Sequence, residues 1–206
     1  MIVFVVVFEG DMRYFSSDIH FDGSKDFWID SRPFKDMKTF EKYIIKTWNK
    51  QSKKDDTIYI VGDFVDCDGP DNFSWQHTLN LVKKFKASIV LITGNNEDRV
   101  IKYFFDNDYK RFKEYCLQCG FSDVMKYCKL TIHDQEFYLV HKPKQCKKEF
   151  INLFGHTHRA GGLYRSYGFN VGCDLNFYRL YSEYDILKML ELKTRFWDHD
   201  ENLKLI

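Results

Sequence analysis

Three apolar runs in this chain each end on a glycine followed by a side chain of the metal-ligand type, and this repeated pattern limits the fold more than any other feature. Thr57–Val61 runs into Gly62-Asp63, Ser88–Thr93 into Gly94-Asn95, and Phe150–Phe154 into Gly155-His156. Tyr14–Ser17 leads in the same way into Asp18-Ile19-His20, and Phe137–Val140 into His141. Short runs rich in β-branched and aromatic residues, closed by glycine, read as buried strands. Helical patterns separate the first three strands in chain order, Tyr14–Ser17, Thr57–Val61 and Ser88–Thr93. Phe34–Lys50 carries Phe34, Met37, Phe40, Ile44 and Trp48 near helical spacing, and Trp75–Lys86 again reads as helix. Strands alternating with helices imply a largely parallel sheet, with sites forming beyond the carboxyl ends of its strands.

The second half changes character. Asn107–Cys119 reads as a helix closed by Gly120. Val124–His133 and Glu136–Val140 read as two strands joined in a hairpin at Asp134-Gln135, and Leu163–Val171 as one or two more. Ser182 and Asp185 form a capping box for a last helix reaching about Phe196. No linker, repeat or composition shift divides the chain, so residues 1–206 read as one domain. The apolar start Met1–Phe8 reads either as an extra strand or as an extension ahead of a start at Met12. It lacks a basic lead and a small-residue cleavage site, so no signal peptide is expected.

Composition removes several function classes. A net charge of +1 argues against a basic nucleic-acid sleeve. No apolar run approaches the roughly 20 residues of a membrane span. Six cysteines without a targeting signal read as reduced thiols in the cytoplasm. Cys116 and Cys119 form a C-x-x-C, but Cys128 and Cys146 are not a close pair, so a structural zinc is a weak reading.

The strand ends offer Asp18, His20, Asp63, Asn95, His141, His156 and His158. Carboxylate, amide and imidazole donors without thiolate suit manganese, iron, zinc or similar divalent ions. Seven donors are too many for one ion that keeps positions open for water and substrate. Two ions sharing a carboxylate fit better.

The order D-x-H (Asp18, His20), G-D-x-x-D (Gly62, Asp63, Asp66), G-N-x-[DE] (Gly94, Asn95, Glu97), a lone His141 and G-H-x-H (Gly155, His156, His158) resembles the calcineurin-like metallophosphoesterase superfamily. Arg32-Pro33-Phe34, Trp48-Asn49 and Asn170-Val171-Gly172-Cys173-Asp174 are similar to a small prokaryotic and phage branch of it. The resemblance implies an α/β fold, a four-layer αββα sandwich of two mixed sheets. It implies a phosphoesterase with two divalent cations, manganese first and iron, zinc, nickel or cobalt as alternatives. Asp18, His20 and His158 would hold one ion; Asn95, His141 and His156 would hold the other; Asp63 would bridge them. A water or hydroxide between the ions would attack phosphorus, with His20, Asn95 and Asn96 nearest the chemistry. Phosphodiesters or small phosphorylated compounds are the implied substrates. Nucleic acid ranks lower, because no basic, aromatic strip is evident.

One position departs from that pattern. The family's third motif usually has histidine where this chain has Asn96. An amide donates a hydrogen bond but no proton near neutral pH. The departure keeps open a catalytically weak binding scaffold on the same fold. Asp66 reads as a supporting carboxylate, Arg99 and Arg159 as candidates for guiding phosphate, and His77, His133 and His199 as unrelated to the site.

Overall fold

The computed structural model describes residues 11–21 and 31–197. The apolar start and His199 lie outside the described residues. Two five-stranded sheets face each other. The first contains β1 (Arg13–Ser16), β2 (Thr57–Val61), β3 (Ser88–Ile92), β4 (Asp123–Met125) and β10 (Tyr181–Ser182), in the order β10-β1-β2-β3-β4. β1 to β4 are parallel and β10 is antiparallel to β1. The second sheet contains β5 (Cys128–Ile132), β6 (Gln135–Leu139), β7 (Ile151–Phe154), β8 (Tyr164–Arg165) and β9 (Gly168–Asn170), in the order β5-β6-β7-β9-β8. It is mixed: β6, β7 and β9 are parallel, and both edges are antiparallel. The expected α/β sandwich of two mixed sheets with flanking helices is thus the observed fold.

Helices α1 (Met37–Gln51), α2 (Ser74–Asn80), α3 (Asn95–Phe104) and α4 (Tyr109–Cys119) contribute to one core with the outer face of the first sheet. Phe40, Ile44 and Trp48, one stripe of α1, are fully buried there beside Ile58 and Ile60 of β2. Asp36 caps α1 by accepting from Thr39 N–H at 2.7 Å. A second core lies between the sheets, where Phe15, Val61 and Ile92 meet Phe137, Leu139, Leu153 and Phe169. Helix α5 (Glu183–Trp197) adds Ile186 and Met189 to it, and its start carries the expected capping box, Asp185 N–H donating to Ser182 Oγ at 3.2 Å and Ser182 N–H to Asp185 Oδ2 at 2.8 Å.

Three local expectations change, and one helix is new. Val124–His133 is not one strand: β4 ends at Met125 in the first sheet and β5 begins at Cys128 in the second, so Lys126-Tyr127 carries the chain across. The hairpin turns at His133-Asp134, one residue earlier than expected, and both have φ above zero, 45° and 65°. That is the backbone a two-residue turn needs to match strand twist. Helix α3 begins at the G-N motif itself, a start hidden because the motif reads first as a ligand loop. Helical geometry over Trp75–Lys86 divides into α2 and a 3₁₀ turn at Leu81–Lys84. The cysteines do not assemble a zinc site: Cys116 and Cys119 sit in the helical core, while Cys128 joins the core between the sheets.

Candidate metal centre

Parallel pairing carries past the strand ends and aligns the motifs. Asp18 N–H donates to Gly62 O at 3.1 Å, His20 N–H to Asp63 O at 3.0 Å, and Gly155 N–H to His141 O at 3.0 Å. The two sheets are then stitched together beside the site. Val171 N–H donates to Phe154 O at 2.8 Å and Cys173 N–H to Ser17 O at 3.0 Å. Motifs from both sheets therefore meet at one end of the sandwich.

The motif glycines serve close approach. A Cβ on Gly62 would collide with the His141 imidazole, one on Gly94 with the Asp63 carboxylate, and one on Gly155 with Ser17 and Asp18. Each motif's glycine makes room for another motif's ligand-type side chain. The backbone is also strained where it matters. Asp18, His20, Asp63, His156 and His158 have φ of 56°, 50°, 53°, 73° and 45°. Non-glycine residues rarely adopt this region, and clusters of such residues mark functional sites.

The structure brings all seven candidate ligands together. The donor atoms of Asp18, His20 and His158 lie within 4.8 Å of one another, as do those of Asp18, Asp63 and His141. Asp63 Oδ2 is 3.4 Å from His141 Nε2 and 3.6 Å from His20 Nε2, so this carboxylate sits between the two groups. His141 Nε2 is 3.1 Å from Asn95 Oδ1, and the His156 ring packs edge-on against His141 with centroids 5.2 Å apart. His156 N–H donates to both Asp18 oxygens, at 2.9 and 3.0 Å.

The rings are aimed. His158 Nδ1 lies 2.9 Å from Asp174 Oδ2, and His141 Nδ1 lies 2.8 Å from Val61 O. Both partners only accept, so each Nδ1 is the donor there and each Nε2 faces inward, where a cation would compete with a proton for its lone pair. His20 has Nδ1 3.5 Å from Asp66 Oδ1 and Nε2 toward Asp63. The charges agree with this picture. Burial works against ionisation of Asp63, yet His141, then His20 and the Asn96 N–H, hold its carboxyl well below the usual range. Burial likewise opposes protonation of His141, but Asp63 lifts it to about 9. Burial and the neighbouring His141 lower His156, which favours its neutral, ligating form. Among the described residues, the basic side chains within 4.0 Å of the buried Asp18 and Asp63 carboxylates are histidines. Oxygen and imidazole donors converging on two buried carboxylates fit divalent cations.

A family model described as calcineurin-like phosphoesterase matches residues 14–180. The chain belongs to that family. Divalent metals and phosphoester substrates are what membership implies. The chain is 29% identical over 102 residues to the uncharacterized protein MJ1445 of Methanocaldococcus jannaschii. That match covers 47% of this chain and 54% of the relative, so the chain spans about half the relative's length. The crystal structure of the protein of unknown function AQ665 from Aquifex aeolicus superposes with a TM-score of 0.60 at 25% identity, covering 87% of this chain and 100% of that one. The structure of Yfce, a phosphoesterase from E. coli, gives a TM-score of 0.45 at 15% identity over 78% of each chain.

In this calcineurin-like phosphoesterase the roles of the supporting residues were the least visible in sequence. Glu97 is fully buried and accepts four backbone N–H groups: Asp63 at 2.9 Å, Phe64 at 2.9 Å, Val65 at 3.2 Å and Gly94 at 2.7 Å. It thus ties the start of α3 to the loop that carries Asp63. Burial, then the Asp63 charge, raises its carboxyl to about 7 against those hydrogen bonds. Arg32 donates to Asp174 at 3.1 Å, to Ile19 O at 2.7 Å and to Asp18 O at 2.8 Å. The Arg32-Pro33 and Asn170–Asp174 segments, separate signals in sequence, therefore meet behind His158. Asn96 faces inward at 2% exposure. Its Nδ2 donates to Asp63 Oδ2 at 2.9 Å, its Oδ1 accepts from Cys67 N–H at 3.1 Å, and its own N–H donates to Asp63 Oδ1 at 3.0 Å. His133 packs by Tyr184, 6.2 Å between rings, and His77 lies in the last turn of α2.

Proposed function

We propose that this chain is a dinuclear metal-dependent phosphoesterase, acting on phosphodiesters or small phosphorylated compounds. Asp18, His20 and His158 hold one cation, Asn95, His141 and His156 the other, and Asp63 is shared. The observation that carries the reading is the position of Asp63, within 3.6 Å of imidazole nitrogens from both groups. Bound divalent cations supply Lewis acidity, lowering the pKa of water and taking up charge on phosphoryl oxygens.

The chain's own residues do the rest. Asp174, Asp66 and Val61 O keep the imidazoles turned inward, which preserves geometry during turnover. Glu97 and Asn96 fix the Asp63 loop and the Asp63 carboxylate. Asn96 is a positioning residue in this scheme, since both ends of its amide are committed to that task. Asn95, partly exposed beside His141, is placed to donate toward a phosphoryl oxygen. The metals are manganese first, with iron, zinc, nickel or cobalt as alternatives. Six free thiols suit a reducing cytoplasm. Among the described residues no helix is long and apolar enough to cross a membrane.

The test is hydrolysis of an aryl phosphodiester with added manganese, alongside metal analysis of the purified protein. Turnover that disappears in Asp63→Ala supports the proposal. Two bound ions without turnover of any phosphoester would favour the scaffold reading instead, and absence of metal binding would remove both metal assignments.

A further inference from the structure

Phe177 is 82% exposed, the largest exposure among the large apolar side chains described. Its backbone has φ of 51°, and Tyr178 follows at 63°. An exposed position in the left-handed region favours glycine or asparagine on both counts, since a phenylalanine there gains no burial and carries strain. The turn that holds it is nevertheless tied down by hydrogen bonds. Tyr178 N–H donates to Cys173 O at 2.9 Å, Arg179 N–H to Asn176 O at 2.9 Å, and Trp48 Nε1 to Tyr178 O at 3.1 Å. The Tyr178 ring packs against Phe34 and Phe40, centroids 5.0 and 5.7 Å away.

The turn is tied to the candidate centre at both ends. Asp174, at its start, supports His158 at 2.9 Å. Tyr178, at its end, accepts from Arg159 Nη2 at 2.9 Å, and Arg159 follows His158 directly. The turn that carries the exposed Phe177 is thus anchored on Asp174, behind His158, and on Tyr178, bonded to Arg159.

We propose that Phe177 is a specificity residue, stacking on a planar aromatic group of the substrate while Arg159 faces its negative charge. The substrate class is a phosphoester bearing a nucleobase or an aryl ring. This rests on the phosphoesterase reading for its site, but not for its test, because binding is measured without turnover.

The experiment is calorimetric titration of the manganese-loaded protein with a nucleoside monophosphate, phenyl phosphate and ribose 5-phosphate. Base stacking on an aromatic side chain is worth about tenfold or more in affinity. Phe177→Ala is expected to weaken the ring-bearing ligands by about tenfold and leave ribose 5-phosphate unchanged, while Phe177→Trp retains the wild-type preference. Loss confined to the nucleotide identifies a nucleobase; equal loss with phenyl phosphate identifies a general aryl site. Phe177→Gly should melt at a higher temperature than wild type while losing the same preference, which separates a retained functional ring from damage to the fold. A ring preference unchanged in Phe177→Ala, or absent from wild type, overturns the proposal. Failure of wild type to hydrolyse any phosphoester would instead count against the enzymatic reading and leave the binding result to stand.

Discussion

Behind His158 and His20 stand carboxylates, Asp174 at 2.9 Å and Asp66 at 3.5 Å, whereas His141 rests on a backbone carbonyl at 2.8 Å and His156 faces solvent. The half built on Asp18, His20 and His158 is further braced by Arg32, which reaches Asp174 and two backbone carbonyls. A charged partner fixes a ring and makes it more basic; a carbonyl fixes it with less electrostatic gain. The difference teaches that the two halves of the proposed centre are not equivalent. In the proposed centre the first half is the more heavily braced, and the second carries the most exposed of the candidate histidines, His156.

Removing the shared residue tests whether the halves are coupled at all. Asp63→Ala should lower kcat/KM by about 10³-fold or more, because charge stabilisation by both cations is worth several kcal/mol. Activity within tenfold of wild type would break the dinuclear picture. Asp174→Asn strikes one half. Manganese affinity there should fall by about 10–100-fold, with the second ion's affinity little changed, read by titration with metal analysis. Equal losses at both ions would contradict the asymmetry.

Proton linkage sharpens the other half. His141 is lifted to about 9 by Asp63, so without a cation it is protonated below that pH. A cation must displace this proton, and affinity at the second half should rise by up to about tenfold per unit as pH increases toward 9. Calorimetry in two buffers of different ionisation enthalpy counts the proton released; none released would refute the linkage. The same raised pKa makes the His141–Asp63 pair stabilise the metal-free fold most fully below the ordinary histidine range. That contribution is lost as pH rises through about 9.

The smallest expected effect concerns the residue between the halves. Asn96→Ala leaves Cys67 N–H and one Asp63 oxygen without their buried partner. Denaturant unfolding should show a cost of roughly 1–3 kcal/mol. Activity should fall with an unchanged pH profile, since an amide contributes position rather than a proton. A lost basic or acidic limb of that profile would instead assign Asn96 a part in proton transfer.

Much of this was legible in sequence for a local reason. Strand and helix periodicity depends on neighbours two to four residues away, so β1, β2, β3, β7 and α1 could be read directly. Crossing points were harder. Lys126-Tyr127 interrupts an apolar run without a glycine or proline, so nothing local marks the change of sheet. The left-handed backbone at Asp18, His20 and His158 also has no local signature, because non-glycine residues adopt it only when surrounding contacts impose it.

By itself the sequence determined which ligand chemistry was on offer, in which order, and that each set would emerge at the end of a strand. Only the tertiary structure decided that Arg32 and Asp174, 142 residues apart, meet behind His158, and that Asn96 turns inward to hold Asp63. The physical reason is range. Periodicity records a residue's own element, while the geometry of this centre is set by hydrogen bonds between segments such as Asp18 and His156, 138 residues apart, that no local pattern encodes.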